Sequence, residues 1–168
     1  DNKLRIAGIV EESIVDGPGI RFVVFTQGCK HNCPGCHNPH THSFDGGEIV
    51  EIDSIIDSIK ENPLLSGVTL SGGEPFEQAK ALAELSKKIK ELGYNIISYT
   101  GYTYEYIIEN SSEASGWMDL LKEIDILIDG RFEIEKKSLN LRYKGSSNQR
   151  IIDAKKTMAS GNIVIASI

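Results

Sequence analysis

The chain has 168 residues, of which 40% are hydrophobic and 25% are charged, and its net charge is −6. These proportions are typical of a folded domain, and we expect one domain, residues 1–168. The negative charge argues against a nucleic-acid binder, and no apolar run reaches the ~20 residues that a membrane helix needs. Nucleic acid and membrane are therefore not expected as partners.

The charge is unevenly distributed along the chain. Residues 131–156 contain eight basic and three acidic side chains, so this segment carries a net charge of +5. Such a segment can be an ordinary solvated face. It can also be a docking surface for an acidic partner, because opposite charges steer association. The sequence leaves both interpretations open.

The hydrophobic pattern predicts strands and helices in alternation. Residues 4–10 form a first strand, expected at an edge, and residues 20–26 form an almost continuously apolar strand that is covered on both faces. A helix over 52–59 follows, with Asp53 or Ser54 as its cap. The other predicted strands are 67–70, 95–99, 124–128, 151–152 and 163–166, and the other predicted helices are 76–92, 104–109 and 117–122.

This alternation predicts a parallel sheet whose chemistry lies where the strands end. The chain is too short for eight βα units of typical size. We therefore expect an α/β fold that forms an incomplete, open (β/α) barrel. An open side can admit a large substrate, including a loop of another protein.

One short loop after the second predicted strand contains every cysteine: Cys29, Cys33 and Cys36. The four histidines lie in or just after it: His31, His37, His40 and His42. This concentration of soft ligands predicts a metal site, and the absence of a disulfide framework makes a reducing cytoplasm the expected setting. Three thiolates and one histidine fit zinc. Three thiolates on a four-iron cluster leave one iron open to a substrate, and spacing alone does not decide between the two.

The second motif is Ser71-Gly-Gly-Glu74, directly after a buried predicted strand. Its Ser-x-x-Glu spacing can be a helix capping box. Two consecutive glycines also let a ligand approach the backbone closely, and a carboxylate beside them can hold an ammonium group. Beside the cysteine loop, this motif predicts a bound amino acid, with one end on the open iron and the other on Gly72, Gly73 and Glu74.

These motifs resemble the radical S-adenosylmethionine enzymes, which carry Cys-x3-Cys-x2-Cys after one strand and Gly-Gly-Glu after the next. The stretches Asp16-Gly-Pro-Gly-Ile-Arg21, Gln27-Gly-Cys29 and Cys36-His-Asn-Pro39 are similar to the branch that installs glycyl radicals on partner proteins. Three further stretches resemble the anaerobic ribonucleoside-triphosphate reductase activating proteins: Tyr99-Thr-Gly-Tyr102, Asp129-Gly-Arg-Phe132 and Gly145-Ser-Ser-Asn-Gln-Arg150. The resemblance covers residues 16–153.

The resemblance implies a barrel of the radical S-adenosylmethionine type and a 4Fe-4S cluster held by Cys29, Cys33 and Cys36. It implies an enzyme that reductively cleaves S-adenosylmethionine and generates a glycyl radical on anaerobic ribonucleoside-triphosphate reductase. The electron would come from a low-potential donor such as flavodoxin or ferredoxin. No catalytic residue beyond the cluster ligands is implied. The implied contacts to the cosubstrate are Gly35, Cys36, His37, Gly72, Gly73, Glu74 and Asp129.

Other interpretations remain open for several residues. Gly35 stands where the family often has an aromatic residue, so adenine stacking is expected from another group such as His37. Asp129 can be a turn or helix cap, and Arg21 and Arg150 can anchor the cosubstrate or form ion pairs. If the metal is iron, we expect three histidines to face solvent: His31, His40 and His42. Two alternative functions are activation of another glycyl-radical enzyme, of the pyruvate formate-lyase type, and a zinc-stabilised binding module.

Overall fold

The computed structural model describes residues 2–31, 41–112, 116–138 and 141–168. Its strands are β1 (Lys3–Ser13), β2 (Arg21–Thr26), β3 (Glu48–Glu51), β4 (Gly67–Gly72), β5 (Asn95–Tyr99), β6 (Ile126–Asp129) and β7 (Arg150–Asp153). Its helices are α1 (Ile52–Lys60), α2 (Ala79–Glu91), α3 (Tyr104–Asn110), α4 (Trp117–Leu121) and α5 (Ala154–Ser160).

The seven strands form one sheet in the order β3-β1-β2-β4-β5-β6-β7. The four strands β2, β4, β5 and β6 are parallel, whereas β1, β3 and β7 each run antiparallel to their neighbours. The predicted α/β class is confirmed. Among the described residues the sheet is open, with β3 and β7 as its edges.

The two faces of the sheet differ in what covers them. Phe22, Val24, Val68 and Leu70 are fully buried in the main hydrophobic core, together with the apolar sides of α1 and α2. Because side chains alternate along a strand, Phe25, the residue after Val24, lies on the opposite face. That face carries the functional site described below.

Arg21 links the first residues of the central strands through hydrogen bonds. Its side chain is fully buried, and its guanidinium donates to Thr69 Oγ1 at 2.8 Å, Val68 O at 2.9 Å and Asn95 Oδ1 at 2.7 Å. Burial lowers the pKa of Arg21 to about 10. These hydrogen bonds join β2, β4 and β5 at the end opposite the cysteine loop. Arg21 therefore stabilises the sheet and does not lie where the cosubstrate is expected to bind.

Three sequence predictions about element positions are wrong. The first strand is not at the edge, because the unpredicted β3 pairs with it, from Lys3 opposite Glu51. Neither Asp53 nor Ser54 caps α1, which begins at Ile52 after Glu51. The predicted helix 76–92 is two elements, since a 3₁₀ turn over Pro75–Gln78 precedes α2.

The C-terminal part also differs from the prediction. Helix α5 was not predicted, and residues 163–166 contribute only an isolated bridge from Ile165 to Ile152. Within the described parts of the chain, none of the helices combines the length and the apolar character needed to cross a membrane.

Candidate functional site

Backbone hydrogen bonds close the base of the cysteine loop. Gly28 N donates to Thr41 O at 2.7 Å, and Cys29 N donates to His42 O at 3.1 Å. The loop therefore leaves and rejoins the end of β2 at one point, with Cys29 at its base. The predicted residues Cys33, Gly35, Cys36 and His37, and also His40, lie outside the described residues.

The glycine turn after β4 packs directly onto this base. Gly73 N donates to Thr26 O and Glu74 N to Gly28 O, each at 2.8 Å. A Cβ on Gly73 would lie 2.4 Å from Gly28 O, and one on Gly72 would lie 2.4 Å from Thr26 N. The glycines thus let two backbone segments of the protein itself approach each other.

Glu74 is fully buried, and its carboxylate accepts four hydrogen bonds. Oε1 accepts from His31 Nε2 at 2.6 Å and Gly101 N at 2.7 Å, and Oε2 accepts from Thr100 Oγ1 at 2.8 Å and Phe76 N at 3.0 Å. These contacts occupy the roughly four lone-pair positions of a carboxylate. Glu74 therefore joins the cysteine loop to the ends of β4 and β5.

The capping-box interpretation of Ser71-Gly-Gly-Glu74 is wrong. Ser71 lies within β4, and it is Glu74 itself that caps the following 3₁₀ turn, through the bond from Phe76 N. The pattern has the right spacing for a capping box, but the strand continues through its first residue.

His31 is the residue that sequence reasoning missed. Its side chain is 3% exposed, so the expectation that it faces solvent is wrong. One edge of the ring is held by Glu74, and the ring packs against Tyr102 with a centroid distance of 4.5 Å. The other nitrogen, Nδ1, is buried without a hydrogen-bond partner among the described residues. No local pattern signals this contact, because His31 and Glu74 are 43 positions apart.

A cavity of about 600 Å³ opens at the ends of the parallel strands, and we call it the strand-end cavity. It brings together Cys29, Gly72 and Gly73, three of the predicted site residues. Inward-facing Phe25, Ser71 and Tyr99 also line it. Its volume is within the range of small-molecule and cofactor sites.

Residues near the C-terminus form the far wall of this cavity. Gln149 Oε1 accepts from Gly145 N at 2.7 Å and from Ser146 N at 3.1 Å, and Gln149 Nε2 donates to Gly130 O at 2.9 Å. Tyr143 adopts a left-handed backbone conformation (φ 65°), and its carbonyl accepts from the Tyr99 hydroxyl. Gly145 and Gln149 of the motif 145–150 thus form part of the cavity wall.

Asp129 lies beside this cavity and does not line it. Its buried carboxylate accepts from Arg150 Nη2 at 2.5 Å and Nε at 3.0 Å, and from Tyr104 N at 2.8 Å. The Arg150 guanidinium also donates to Glu105, at 2.6 Å and 3.2 Å. Asp129 is therefore the ion-pair partner of Arg150 and a hydrogen-bond acceptor for the first backbone N–H of α3. It lines a neighbouring cavity of about 630 Å³, which also contains Lys30 and His31.

In the ion pair of Arg150 with Glu105, the pKa values of both side chains are shifted. The hydrogen bonds that Arg150 donates to Asp129 and Glu105 raise the pKa of Arg150 above its usual value. The hydrogen bond from Arg150 lowers the pKa of Glu105. Both shifts favour the charged forms, so Arg150 and Glu105 form an ion pair at neutral pH.

The described residues fit an iron–sulfur cluster and a bound cosubstrate in three respects. The sulfur of Cys29 lies at the cavity, the cavity is large enough for a cofactor, and a buried polar atom, His31 Nδ1, has no hydrogen-bond partner among the described residues. No group of three or more potential metal ligands occurs among the described residues, two of the three cysteines being outside them. The ligation by Cys29, Cys33 and Cys36 stays a prediction.

Comparisons with known proteins agree with these features. Residues 15–152 match the family model described as a 4Fe-4S single cluster domain. A crystal structure of QueE from Escherichia coli aligns with a TM-score of 0.48 and 17% identity, over 60% of this chain and 53% of that chain. This structural similarity is weak.

Several relatives are named anaerobic ribonucleoside-triphosphate reductase-activating protein. That of Vibrio cholerae is 36% identical over 147 residues, covering 82% of this chain and 90% of the relative. That of Escherichia coli K12 is 33% identical over 145 residues, covering 81% and 90%, and that of Enterobacteria phage T4 is 31% identical over 143 residues, covering 82% and 86%. The resemblance found in the motifs is thus confirmed, and the chain belongs to the 4Fe-4S single cluster domain family and to the anaerobic ribonucleoside-triphosphate reductase-activating proteins.

Proposed function

We propose that this chain is the enzyme that generates a glycyl radical on anaerobic ribonucleoside-triphosphate reductase, using a 4Fe-4S cluster and S-adenosylmethionine. The observation that carries the proposal is the meeting of Cys29 with the turn of Gly72 and Gly73 at one cavity. Family membership supports it, since the relatives are named anaerobic ribonucleoside-triphosphate reductase-activating protein.

The thiolates of Cys29, Cys33 and Cys36 would hold three irons of the cluster. When bound, the reduced cluster would give one electron to S-adenosylmethionine, which would split into methionine and a 5′-deoxyadenosyl radical able to take a Cα hydrogen atom from a glycine of the partner and become 5′-deoxyadenosine. The chain's own residues then have two tasks, to fix the cosubstrate and to exclude water and oxygen.

The predicted cosubstrate contacts fall into three groups. Gly72 and Gly73 line the strand-end cavity, which supports their assignment. Glu74 lies behind that turn with all its lone pairs used by the protein, so it supports the site through His31 and backbone amides. The contacts proposed at Gly35, Cys36, His37 and Asp129 are untested.

The same proposal includes the architecture and the setting. We take residues 1–168 as one domain and the sheet as the wall of an open barrel of the radical S-adenosylmethionine type, whose open side admits a loop of the reductase. A low-potential donor such as flavodoxin or ferredoxin would deliver the electron, in the cytoplasm. These points follow from the resemblance and the open sheet.

The test is radical formation on defined partners. Cluster-loaded protein is mixed anaerobically with S-adenosylmethionine, dithionite and the reductase, and the glycyl radical is measured by electron paramagnetic resonance with 5′-deoxyadenosine assayed in parallel. We expect radical on the reductase and none on pyruvate formate-lyase. Radical on pyruvate formate-lyase alone would assign the chain to the alternative partner, and no 5′-deoxyadenosine with either would contradict the proposal.

A further inference from the structure

Three side chains form a row across the inner face of the parallel strands, the face opposite the main core. Phe25 of β2 pairs with Ser71 of β4. Tyr99 of β5 lies on the other side of Ser71, because it follows Ser98, which pairs with Leu70. We call Phe25, Ser71 and Tyr99 the inner row. All three line the strand-end cavity, and Phe25 and Tyr99 are only half-buried.

Further from the cysteine loop, the turn 16–19 covers the inner face. Asp16 O accepts from Thr69 Oγ1 at 2.8 Å, and a Cβ on Gly17 would lie 2.7 Å from Ile97 Cδ1. Thr69 and Ile97 are accordingly buried. Parallel sheets normally have both faces covered. Within the described ranges, the inner row is thus the part of this face that stays open to a cavity, and an occupant is expected there.

Ser71 is the small member of the inner row, between two aromatic residues. Neighbouring strands are about 4.8 Å apart, so the backbones at Phe25 and Tyr99 are separated by roughly 10 Å. The Ser71 hydroxyl has no hydrogen-bond partner among the described residues, and it is not enclosed by them, since Ser71 lines the cavity and stays 8% exposed. A hydroxyl both donates and accepts, so it can bind either group of a peptide bond.

The inner row lies on the other side of the expected cosubstrate from the cluster. Cys29 stands beyond the end of β2 and Gly72 ends β4, whereas Phe25 and Ser71 precede those strand ends. A cosubstrate held between Cys29 and the glycine turn therefore has the cluster on one side and the inner row on the other. The group that gives up a hydrogen atom must touch the cosubstrate, and the side of the inner row is the one that the cluster leaves for it.

The cavity also reaches the protein surface on this side. Val15, next to the turn 16–19, lines the cavity and is 72% exposed. Its neighbour Ile14 is 75% exposed. The opening beside these apolar side chains gives a loop of a partner protein a route to the inner row that does not cross the cysteine loop.

We propose that the inner row receives the target glycine of the partner protein, with the Ser71 hydroxyl hydrogen-bonded to a peptide group next to the Cα of that glycine. This inference rests on the proposed function, which supplies the cosubstrate and a glycine as hydrogen donor. Because Ser71 is small, it leaves space between Phe25 and Tyr99 for a residue without a side chain. The hydrogen atom that leaves the glycine Cα ends on the 5′ carbon of 5′-deoxyadenosine, and Ser71 holds the Cα in place for that transfer.

The test follows that hydrogen atom. Reductase is prepared with glycine deuterated at Cα, and cluster-loaded wild type, Ser71→Ala, Ser71→Thr and Ser86→Ala are each reacted with it anaerobically, with S-adenosylmethionine and dithionite. Glycyl radical per 5′-deoxyadenosine, the deuterium content of the 5′-deoxyadenosine, and the affinity for S-adenosylmethionine without reductase are measured. Ser86→Ala is the matched control, because Ser86 Oγ also lacks a partner among the described residues but is buried in α2.

For Ser71→Ala we expect about tenfold less glycyl radical per 5′-deoxyadenosine, as for the loss of one hydrogen bond, and a parallel loss of deuterium. The affinity for S-adenosylmethionine should change less than the radical yield does. Ser71→Thr keeps the hydroxyl and should retain more of the radical yield than Ser71→Ala. Ser86→Ala should behave as wild type.

Three outcomes contradict the inference. In the first, Ser71→Ala keeps the wild-type radical yield and deuterium content. In the second, Ser71→Ala binds S-adenosylmethionine more weakly and keeps the yield of radical per 5′-deoxyadenosine, which would assign the hydroxyl to the cosubstrate. In the third, Ser86→Ala loses as much radical as Ser71→Ala. A wild-type protein that forms 5′-deoxyadenosine and no radical on the reductase would instead contradict the proposed function.

Discussion

Two buried carboxylates stand after parallel strands of the sheet, Glu74 after β4 and Asp129 at the end of β6, and the protein satisfies them differently. Glu74 is held by backbone amides, a hydroxyl and the imidazole of His31. Asp129 is held by the guanidinium of Arg150 and one backbone amide. Both were predicted to contact the cosubstrate, and both are fully engaged with the protein.

The difference between the two sites lies in what each carboxylate connects. Glu74 ties the cysteine loop to the ends of β4 and β5, so its hydrogen bonds depend on the position of that loop. Asp129 ties β6, β7 and the start of α3 through a charged partner, away from the cysteines. Changes at Glu74 should therefore alter cluster and cosubstrate together, and changes at the Arg150 network should alter stability alone.

The largest effect is expected from Glu74→Gln. The amide turns an acceptor into a donor that faces N–H and O–H groups in a buried site, which should lower the free energy of unfolding by at least about 3 kcal/mol. Because the link to His31 is lost, iron content should fall as well. Chemical denaturation of the cluster-free protein and iron analysis after reconstitution measure the two effects.

Glu77→Gln is the matched control for that change. Glu77 is close in sequence, 19% exposed, and accepts from the Tyr102 hydroxyl at 2.6 Å; its only recorded contact with the described part of the cysteine loop is a solvent-screened ion pair with exposed Lys30 at 3.4 Å. Its replacement should cost about 1 kcal/mol and leave iron content unchanged. Equal losses from the two variants would show that Glu74 has no special connection to the cysteine loop.

The next largest effect is expected from Gly72→Ala, compared with Gly93→Ala. Both glycines have a left-handed backbone, with φ of 97° and 91°. A Cβ at Gly93 meets no atom within 4 Å, whereas one at Gly72 collides with the backbone of Thr26. Gly93→Ala should cost about 1 kcal/mol from backbone strain, and Gly72→Ala should cost about 2 kcal/mol more because of the collision.

Iron content again distinguishes the two glycine variants. Gly72→Ala should displace the base of the cysteine loop and reduce iron uptake, while Gly93→Ala should load normally. Gly72→Ala could instead keep its stability and iron content and lose only the binding of S-adenosylmethionine. That result would show that the close approach at Gly72 is to the ligand and not to the backbone of Thr26.

A smaller, pH-dependent effect is expected at Glu105. Arg150 lowers the pKa of this carboxyl in the folded protein below its ordinary value of 4.5. Its contribution to stability is therefore present above pH 4.5 and is lost as the pH falls through the lowered pKa. Urea titrations from pH 7 to pH 3 should show a steeper acid loss for wild type than for Glu105→Gln.

The size of that difference is limited by exposure, since the Glu105 side chain is 55% exposed and solvent screens the pair. Iron uptake should be the same in Glu105→Gln and wild type. If the stability of the two proteins falls with pH in the same way, the ion pair between Glu105 and Arg150 does not contribute to stability. If Glu105→Gln also loses iron, the Arg150 network affects the cluster too, and the proposed difference between the sites of Glu74 and Asp129 is wrong.

The smallest effect on stability is expected from reversing Lys136 and Lys137 to glutamate. Both side chains are exposed, so the free energy of unfolding should change by less than about 1 kcal/mol. If the basic segment 131–156 docks the reductase, radical yield should fall at limiting partner and low salt, where screening is weak. Uncoupled cleavage of S-adenosylmethionine should not change, and an equal radical yield would make this segment an ordinary solvated face.

The sequence predicted those features that depend on local periodicity or on residue type. Strand β5 spans the predicted residues 95–99, because its apolar run is continuous and bounded by turn residues. The metal site was predicted because the cysteines and histidines are concentrated in one loop. Both signals lie within a few neighbouring residues, and the comparisons support the iron–sulfur assignment.

Features that depend on long-range pairing could not be predicted. Strand β3 is short and contains two glutamates, and only its pairing with β1 makes it a strand. The bond between His31 and Glu74 joins residues from two different strand ends. The Ser-x-x-Glu spacing also allowed the capping-box interpretation, which is wrong. Ser71 belongs to strand β4, whose pairing with β2 extends through it, so it is not available as a helix cap.

The most direct test of the account is the metal and sulfide content of the wild-type protein after anaerobic reconstitution, with and without S-adenosylmethionine. The account predicts a brown protein with about four irons and four sulfides per chain, lost in Cys29→Ala. It also predicts that S-adenosylmethionine changes the electron paramagnetic resonance spectrum of the reduced protein. One zinc per chain, with no sulfide and no visible absorption, would contradict it.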